Sequence, residues 1–178
     1  MEYLDLYTAE RQKTNRTLVR GEPVPEGYYR LVVHVCLFDP QGRMLIQQRQ
    51  PFKRGWSNLW DLTVGGCAVS GDTSRSAAER EVFEELGLSV DLSGVRPTLT
   101  IHFEDGFDDY YVLTRPVDTD ALRLQAEEVQ AVRWASEEEI LGMIDDGRFI
   151  PYEKSLIRLL FFRRDHRSAH TRSDPTND

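Results

Sequence analysis

The sequence predicts an α/β fold, in which a sheet is covered by helices on both faces as an α/β/α sandwich. Short apolar segments with strand character alternate along the chain with segments that have helical periodicity. A length of 178 residues also suits one domain that buries roughly two thirds of the surface exposed by its unfolded chain. The sequence therefore calls for no second domain.

The first 27 residues are expected to form an N-terminal β-hairpin extension. Residues 3–8 and 17–20 have the composition of short strands, and the polar segment 10–15 between them is typical of a turn. A proline-rich stretch over residues 21–27 then leads into the main domain.

Residues 28–163 are expected to form the main domain. Residues 31–38 are apolar and rich in β-branched side chains, which favours a central strand. A turn with Pro40 and Gly42 returns the chain to a partner strand over residues 44–49. Further strands are predicted at residues 59–64, 67–69, 98–104, 110–115 and 129–134.

Two helices are predicted to complete the domain. Ser136 and Glu139 have the spacing of a capping box, and residues 151–162 place leucines on one side of a last helix. Residues 164–178 have no apolar period, so this tail is expected to be mobile.

The overall charge and composition restrict the functional class. Lys and Arg total 22 against 30 Asp and Glu, and the net charge of −8 argues against a nucleic acid partner. Cys36 and Cys67 are too few for a disulfide framework or a zinc cluster, and each is expected to be a small buried residue. The sequence has no membrane-spanning apolar run and no leader-like start, so a soluble cytoplasmic protein is expected.

An acidic helix near the middle of the chain carries the strongest functional signal. Glu81, Glu84 and Glu85 lie at i, i+3 and i+4, which places three carboxylates on one face. Hard divalent cations such as Mg²⁺ prefer oxygen donors of this kind, whereas the alternative is a solvated acidic face. Arg80 is spaced to pair with Glu84, and Gly87 is placed to end the helix. The sequence thus predicts a magnesium or manganese site.

The residues around this helix resemble the Nudix box. The match is made by Gly66, Asp72, Arg80-Glu81-Val82, Glu84-Glu85 and Gly87-Leu88. It departs from the family pattern at one position, where Asp72 replaces a Glu and shortens the reach of the carboxylate by about 1.5 Å. Gly66, Gly71 and Asp72 are expected in a loop, and a glycine there allows a carbonyl to approach an ion closely.

The resemblance implies specific roles. The carboxylates of Glu81, Glu84 and Glu85 would hold Mg²⁺ or Mn²⁺, with the Gly66 carbonyl as a further ligand. Glu81 would also act as the base for the attacking water, while Arg80 orients the acidic cluster and Asp72 lies outside the ligand set. The implied reaction is hydrolysis of a nucleoside diphosphate linked to another moiety, on a Nudix-type fold with a mixed sheet.

Residues outside the box supply candidates for substrate binding. Arg49 could contact a phosphate through its planar guanidinium, although a surface ion pair is the alternative. Trp56 could stack on a base or cover an apolar moiety, although Trp56 and Trp60 both suit a core position. Five further carboxylates could add a ligand or a base but are expected as solvated charges: Asp61, Glu104, Asp105, Asp108 and Asp109.

Two alternative functions remain open. The sequence also resembles the branch of the superfamily that contains isopentenyl-diphosphate isomerase, but the isomerase's catalytic Cys position falls on Gly65 and its metal-binding His position on Cys67. A catalytically inactive Nudix binding module is the second alternative. The expected partner is a small-molecule diphosphate, and the hairpin and exposed strand edges permit a homodimer without requiring one.

Overall fold

A mixed β-sheet lies between one long helix and a pair of helices. The structure is a computed structural model that describes residues 1–166 and 168–171. In these residues the strands are β1 (Tyr3–Tyr7), β2 (Lys13–Val19), β3 (Arg30–Phe38), β4 (Met44–Arg49), β5 (Trp60–Asp61), β6 (Val64–Cys67), β7 (Leu99–Phe103), β8 (Gly106–Thr114) and β9 (Val129–Ala135). The helices are α1 (Ser74–Leu86), α2 (Glu137–Asp145) and α3 (Lys154–Asp165).

Strand β3 is the centre of the main sheet. One edge of β3 pairs in parallel with β8 from Arg30 opposite Gly106 to Phe38 opposite Thr114, and β7 continues the sheet beyond β8. The other edge of β3 pairs antiparallel with β6. The start of strand β4 pairs with the end of β3, and β5 and β9 both pair with β4. The mixed sheet implied by the sequence is therefore confirmed.

Two apolar cores cover the two faces of the sheet, because successive side chains of a strand point to opposite sides. Leu31, Val33 and Val35 of β3 pack with the buried side of α1. Cys36 and Phe38 pack instead with side chains of α2 and α3. The predicted α/β/α sandwich is confirmed, with α1 alone on one face.

The N-terminal hairpin of β1 and β2 is attached to this sandwich by buried polar contacts. Tyr7 and Tyr29 exchange backbone hydrogen bonds of 2.8 and 3.0 Å. At the tip of the hairpin, Arg11 donates to both carboxylate oxygens of Asp109, at 3.0 and 2.7 Å. Asp109 lies on β8 and is fully buried, so the expectation of a solvated loop charge at this position was wrong.

Several predicted boundaries differ from the structure. Strand β2 begins at Lys13, inside the predicted turn, because its pairing with β1 extends to Tyr7. The last helix continues to Asp165 rather than ending at residue 162. Of the tail predicted to be mobile, residues 167 and 172–178 lie outside the described residues. Over the part of the chain that is described, no helix is both long and apolar enough to span a membrane.

Candidate active site

Helix α1 is defined at both ends by local sequence. Thr73 caps its start by accepting a hydrogen bond from the Ser76 backbone at 3.1 Å, and the Ser76 hydroxyl accepts one from the Thr73 backbone at 2.8 Å. Gly87 ends the helix in a left-handed conformation with φ of 65°, where glycine carries no side-chain penalty. Ala78 and Val82 bury the opposite side against the sheet. The two caps and the buried side of α1 therefore fix the position of the acidic residues relative to β6.

Arg80 connects the loop before α1 to the acidic side of the helix. Its Nη2 and Nε atoms donate to Asp72 Oδ2 at 3.0 and 3.2 Å, and Nη2 also donates to the Cys67 carbonyl at 3.1 Å. Its Nη1 atom donates to Glu81 and to Glu84, each at 2.9 Å. The predicted pairing of Arg80 with Glu84 is thus present, and Asp72 retains contact with Arg80 despite its shorter side chain.

The Glu81 carboxylate lies directly against the backbone of Gly66. A Cβ atom at residue 66 would come within 2.3 Å of Glu81 Cδ and Oε1, which no real structure accommodates. Gly66 itself is in strand β6, opposite Val33, and not in the predicted loop. Since Glu81 is only 8% exposed, desolvation raises the pKa of its carboxyl group, although Arg80 opposes that shift.

Glu85 is buried on the same side of the helix with little positive charge near it. It is 5% exposed and accepts a hydrogen bond from Gln47 Nε2 at 2.8 Å. The pKa of Glu85 is raised to about 8, chiefly by burial and also by the negative charges of Glu81, Glu128 and Asp61, while the Gln47 hydrogen bond opposes the shift. A cation bound here would relieve that repulsion.

The three carboxylates do not converge on a single point in this arrangement. Glu81 and Glu84 are turned toward Arg80, whose guanidinium they share, while Glu85 is turned toward Gln47. Across residues 1–166 and 168–171, no three His, Cys, Asp or Glu side chains form a ready metal-binding group. The donor set nevertheless fits a hard divalent cation, because it offers carboxylate oxygens, and a bound cation would favour the ionised form of Glu85. Rotation of the glutamate side chains would be needed to bring them together.

A cleft of about 550 Å³ adjoins this acidic group at Gly65 and Gly66. Its polar and aromatic lining comes from several elements: Arg20, Arg30, His34, Arg49, Trp56, Asp61, Asp108 and Tyr152. Three guanidinium groups thus surround one cleft in a protein whose net charge is −8. Each of them is paired with a carboxylate, that of Glu2, Asp105 and Asp61 in turn. Guanidinium groups bind anionic oxygens in a bidentate geometry, so their presence in the cleft suits an anionic substrate.

The structure places both predicted substrate-binding residues in this cleft. Arg49 lies 3.7 Å from Asp61, so the ion pair given as an alternative is also present, and its buried Nε has no hydrogen-bond partner among the described residues. Trp56 is 54% exposed and has a positive φ of 51°, so the core position considered for it is wrong. Trp60, in contrast, packs against the core that includes α2 and α3.

Other cleft residues differ from the sequence expectations. Asp61 is buried rather than solvated, and it accepts hydrogen bonds from the Tyr152 hydroxyl at 2.8 Å and from the Leu62 backbone at 2.7 Å. Burial raises its pKa, although His34 and Tyr152 oppose that shift. Cys67 is half-buried and faces the cleft, whereas the sequence suggested a buried thiol.

Sequence reasoning did not select Tyr152 or Gln47 for the site. Tyr152 is far from the box in the chain and reaches the cleft only because the segment before α3 lies beside β5. Gln47 carried a usable signal, since a polar residue within an otherwise buried strand requires a polar partner. That partner is Glu85.

Comparisons with known proteins agree with this geometry. The NUDIX domain family matches residues 28–158. Nudix hydrolases of Listeria monocytogenes and Listeria innocua are each 49% identical over 152 residues, covering 85% of this chain and 90% of theirs. An isopentenyl-diphosphate Delta-isomerase of Halorhodospira halophila is 29% identical over 166 residues, covering 89% of this chain and 94% of its own.

The fold is also shared with solved structures. A crystal structure from Deinococcus radiodurans superposes with a TM-score of 0.73 at 24% identity, covering 89% of this chain and 99% of that chain. A MutT protein from Methanosarcina mazei gives a TM-score of 0.59 at 21% identity, over 78% and 96%. From the family match and the Listeria relatives together, the chain belongs to the NUDIX domain family and is a Nudix hydrolase, an enzyme that acts on phosphorus-containing anhydrides.

Proposed function

We propose that this Nudix hydrolase cleaves the pyrophosphate bond of a nucleoside diphosphate linked to another moiety, with Mg²⁺ or Mn²⁺ as its cofactor. The observation that carries the proposal is the Arg80 network, which joins Asp72, Glu81 and Glu84 beside Gly66. A bound divalent cation would neutralise the diphosphate oxygens and lower the pKa of a bound water. The protein residues then have to hold the cation, orient the water and bind the substrate.

The acidic residues divide these tasks. Glu81, Glu84, Glu85 and the Gly66 carbonyl would hold the metal, because all four are oxygen donors and Glu81 lies against Gly66, which lines the cleft. Glu81 would accept the proton of the attacking water, since its carboxylate lies against the backbone that lines the cleft. Arg80 keeps Glu81 and Glu84 in place through its paired donors.

The cleft would hold the remainder of the substrate. Arg49 is positioned to contact a phosphate, because it lines the same cleft as Gly66 and its buried Nε has no hydrogen-bond partner among the described residues. The exposed ring of Trp56 offers a flat apolar surface to a base or another planar group. These two residues are therefore the proposed substrate contacts.

The proposal is tested by assaying purified protein with Mg²⁺ or Mn²⁺ on nucleoside diphosphate derivatives, coenzymes and isopentenyl diphosphate. We expect metal-dependent cleavage of at least one nucleoside diphosphate derivative. Replacing Glu85 with Gln keeps the size of the side chain and removes its charge, so the rate should fall by roughly two orders of magnitude or more. Glu138→Gln is the matched control, because Glu138 is exposed on α2 and does not line the cleft.

Each other outcome contradicts the proposal in a distinct way. Rearrangement of isopentenyl diphosphate without phosphate release would identify an isomerase, although Gly65 offers no thiol at the position where that family carries its catalytic Cys. Binding of a ligand without turnover would identify a non-catalytic module. An unchanged rate in Glu85→Gln would remove the assigned metal site.

A further inference from the structure

A buried carboxylate on the N-terminal hairpin contacts the loop that precedes helix α1. Asp5 lies on β1 and is 6% exposed, so its charge needs partners inside the protein. Its Oδ1 accepts a hydrogen bond from the Ser70 hydroxyl at 2.8 Å, and its Oδ2 accepts one from the Gly71 backbone at 2.8 Å. Lys13 on β2 forms an ion pair with the same carboxylate. Two of the three partners of Asp5 therefore belong to the loop rather than to the hairpin.

The hairpin backbone strengthens this attachment. The Ser70 backbone donates to the Tyr3 carbonyl at 2.7 Å, so β1 holds residue 70 through both its backbone and its side chain. Gly71 has φ of 97°, a conformation in which other residues are strained. Burial raises the pKa of Asp5, but the Lys13 and Gly71 hydrogen bonds outweigh it and the net shift is downward. The carboxylate is thus charged and fully engaged.

The loop residue next to Gly71 is the one that holds Arg80. Asp72 accepts from the Val69 backbone at 3.1 Å and from Arg80 at 3.0 and 3.2 Å. Arg80 in turn donates to Glu81 at 2.9 Å. Hydrogen bonds, together with the peptide bond between Gly71 and Asp72, therefore connect the hairpin to the acidic side of α1.

We infer that Asp5 is a positioning residue for the active site. By fixing Ser70 and Gly71, it holds the Asp72 carboxylate in the orientation that keeps Arg80 against Glu81 and Glu84. The inference rests on the proposed metal site, and it gives the N-terminal hairpin a role in that site. Asp5 itself touches neither the glutamates nor the cleft.

The experiment compares Asp5→Ala with Lys13→Met. Asp5→Ala removes both contacts to the loop, whereas Lys13→Met leaves them and removes only the cation. Both changes should lower the thermal midpoint, because each leaves the buried cluster incomplete. Only Asp5→Ala should weaken Mn²⁺ binding, measured by electron paramagnetic resonance, by about 10- to 100-fold, as removal of a supporting contact around a metal site does.

A second measurement needs no metal. The Arg80 Nε–H resonance in a nitrogen-proton NMR spectrum reports the contact with Asp72, and it can be assigned through Arg80→Lys. We expect this resonance to shift or broaden in Asp5→Ala and to stay in place in Lys13→Met. If Asp5→Ala proves too unstable, Asp5→Leu tests the same point, because its apolar side chain fills a similar space and can accept from neither Ser70 nor Gly71.

A double variant separates positioning from general destabilisation. If Asp5 acts through Asp72, then Asp5→Ala should weaken Mn²⁺ binding no further in an Asp72→Asn background. Additive losses, or equal losses in Asp5→Ala and Lys13→Met, would overturn the inference. Normal Mn²⁺ binding and an unmoved Arg80 resonance in Asp5→Ala would also overturn it while leaving the proposed function intact. If the wild-type protein binds no Mn²⁺, the proposed metal site fails, and the NMR comparison still decides whether Asp5 positions Arg80.

Discussion

At the scale of single residues, a close approach between a backbone and a carboxylate shapes the site. Gly66 leaves the space that the Glu81 carboxylate occupies, and the missing Cβ is what allows a buried charge to lie against strand β6. Gly65 likewise leaves space for a side chain, since a Cβ atom at this position would lie 2.8 Å from His34 Nδ1. The two glycines therefore shape both the acidic group and the inner wall of the cleft.

Gly66→Ala should displace the Glu81 carboxylate from its position. The added methyl group would overlap Glu81 at 2.3 Å, so the glutamate must rotate away and lose its contact with Arg80. We expect hydrolase activity to fall by about tenfold or more, since misplacing a catalytic group by about 1 Å can cost more than that. The effect is measured by steady-state kinetics on a compound that the wild-type enzyme cleaves in the assay described above.

Gly142→Ala is the control for this change. Gly142 lies in α2, where a Cβ meets no atom within 4 Å, and alanine should stabilise that helix by up to about 1 kcal/mol. Its activity should match the wild type. Full activity in Gly66→Ala would show that Glu81 does not need its observed position.

At the scale of elements, helix α1 carries the site because its ends are fixed independently of its acidic residues. The capping pair of Thr73 and Ser76 sets its first turn, and Gly87 sets its last. The Ser76 hydroxyl also donates to Asp72 at 3.1 Å, so the start of the helix and the loop that holds Arg80 share one contact. The capping residue Ser76 therefore also fixes the loop residue Asp72.

Thr73→Ala should lower the free energy of unfolding by about 1 kcal/mol, because the Ser76 backbone loses its side-chain acceptor. Ser136→Ala is a matched change at the start of α2, whose cap accepts from Glu139 at 3.2 Å. Urea unfolding should give similar losses for both variants. Hydrogen exchange should increase in the first turn of α1 only in Thr73→Ala, and equal exchange there in both variants would contradict the local role.

The elements also show how far the sequence predicts the fold. The predicted bounds of strands β3, β4 and β9 are close to those observed, because apolar composition and the turns beside it are local features of the sequence. The sequence predicts strands on both sides of Gly65 and Gly66 but not at the glycines, which lie within β6. Glycine has no side chain that could contribute to a strand pattern. Its strand conformation depends on pairing with β3, which lies outside any local sequence window.

The residues of the candidate site also fall into those that local sequence predicts and those that it does not. The acidic helix could be predicted because its spacing is local, and Arg80 was found with it. Asp5, Gln47 and Tyr152 could not be placed, because each meets the site through a contact between segments distant in the chain. Asp109 was misjudged for that reason, as its partner Arg11 lies in the hairpin.

At the scale of the whole molecule, the charge distribution is uneven. The chain carries a net charge of −8, yet the cleft is lined by Arg20, Arg30 and Arg49, each of them ion-paired, while the glutamates of the box lie on α1 beside it. An anionic substrate would thus meet guanidinium groups in the cleft, and a divalent cation would meet carboxylates on the adjoining helix. The folded state should gain stability from the cation, because the unfolded chain has no such group of carboxylates.

Mn²⁺ should therefore raise the thermal midpoint of the wild-type protein. At 100 times the dissociation constant the stabilisation would be about 2.7 kcal/mol, which differential scanning calorimetry resolves as a shift of several degrees. Glu85→Gln should lose most of this shift, and Glu138→Gln should retain it. Equal shifts in all three proteins would place the bound ion elsewhere on the surface.

The parallel pairing of β3 with β8 also determines when the catalytic scaffold can assemble. Arg30 lies opposite Gly106, so the central ladder joins segments far apart in the chain, and such non-local pairing is slow to form. A nascent chain that has just released α1 from the ribosome already contains every glutamate of the box, yet the sheet that supports this helix is incomplete until β8 has emerged. Catalytic competence is therefore a late event in the biogenesis of this enzyme.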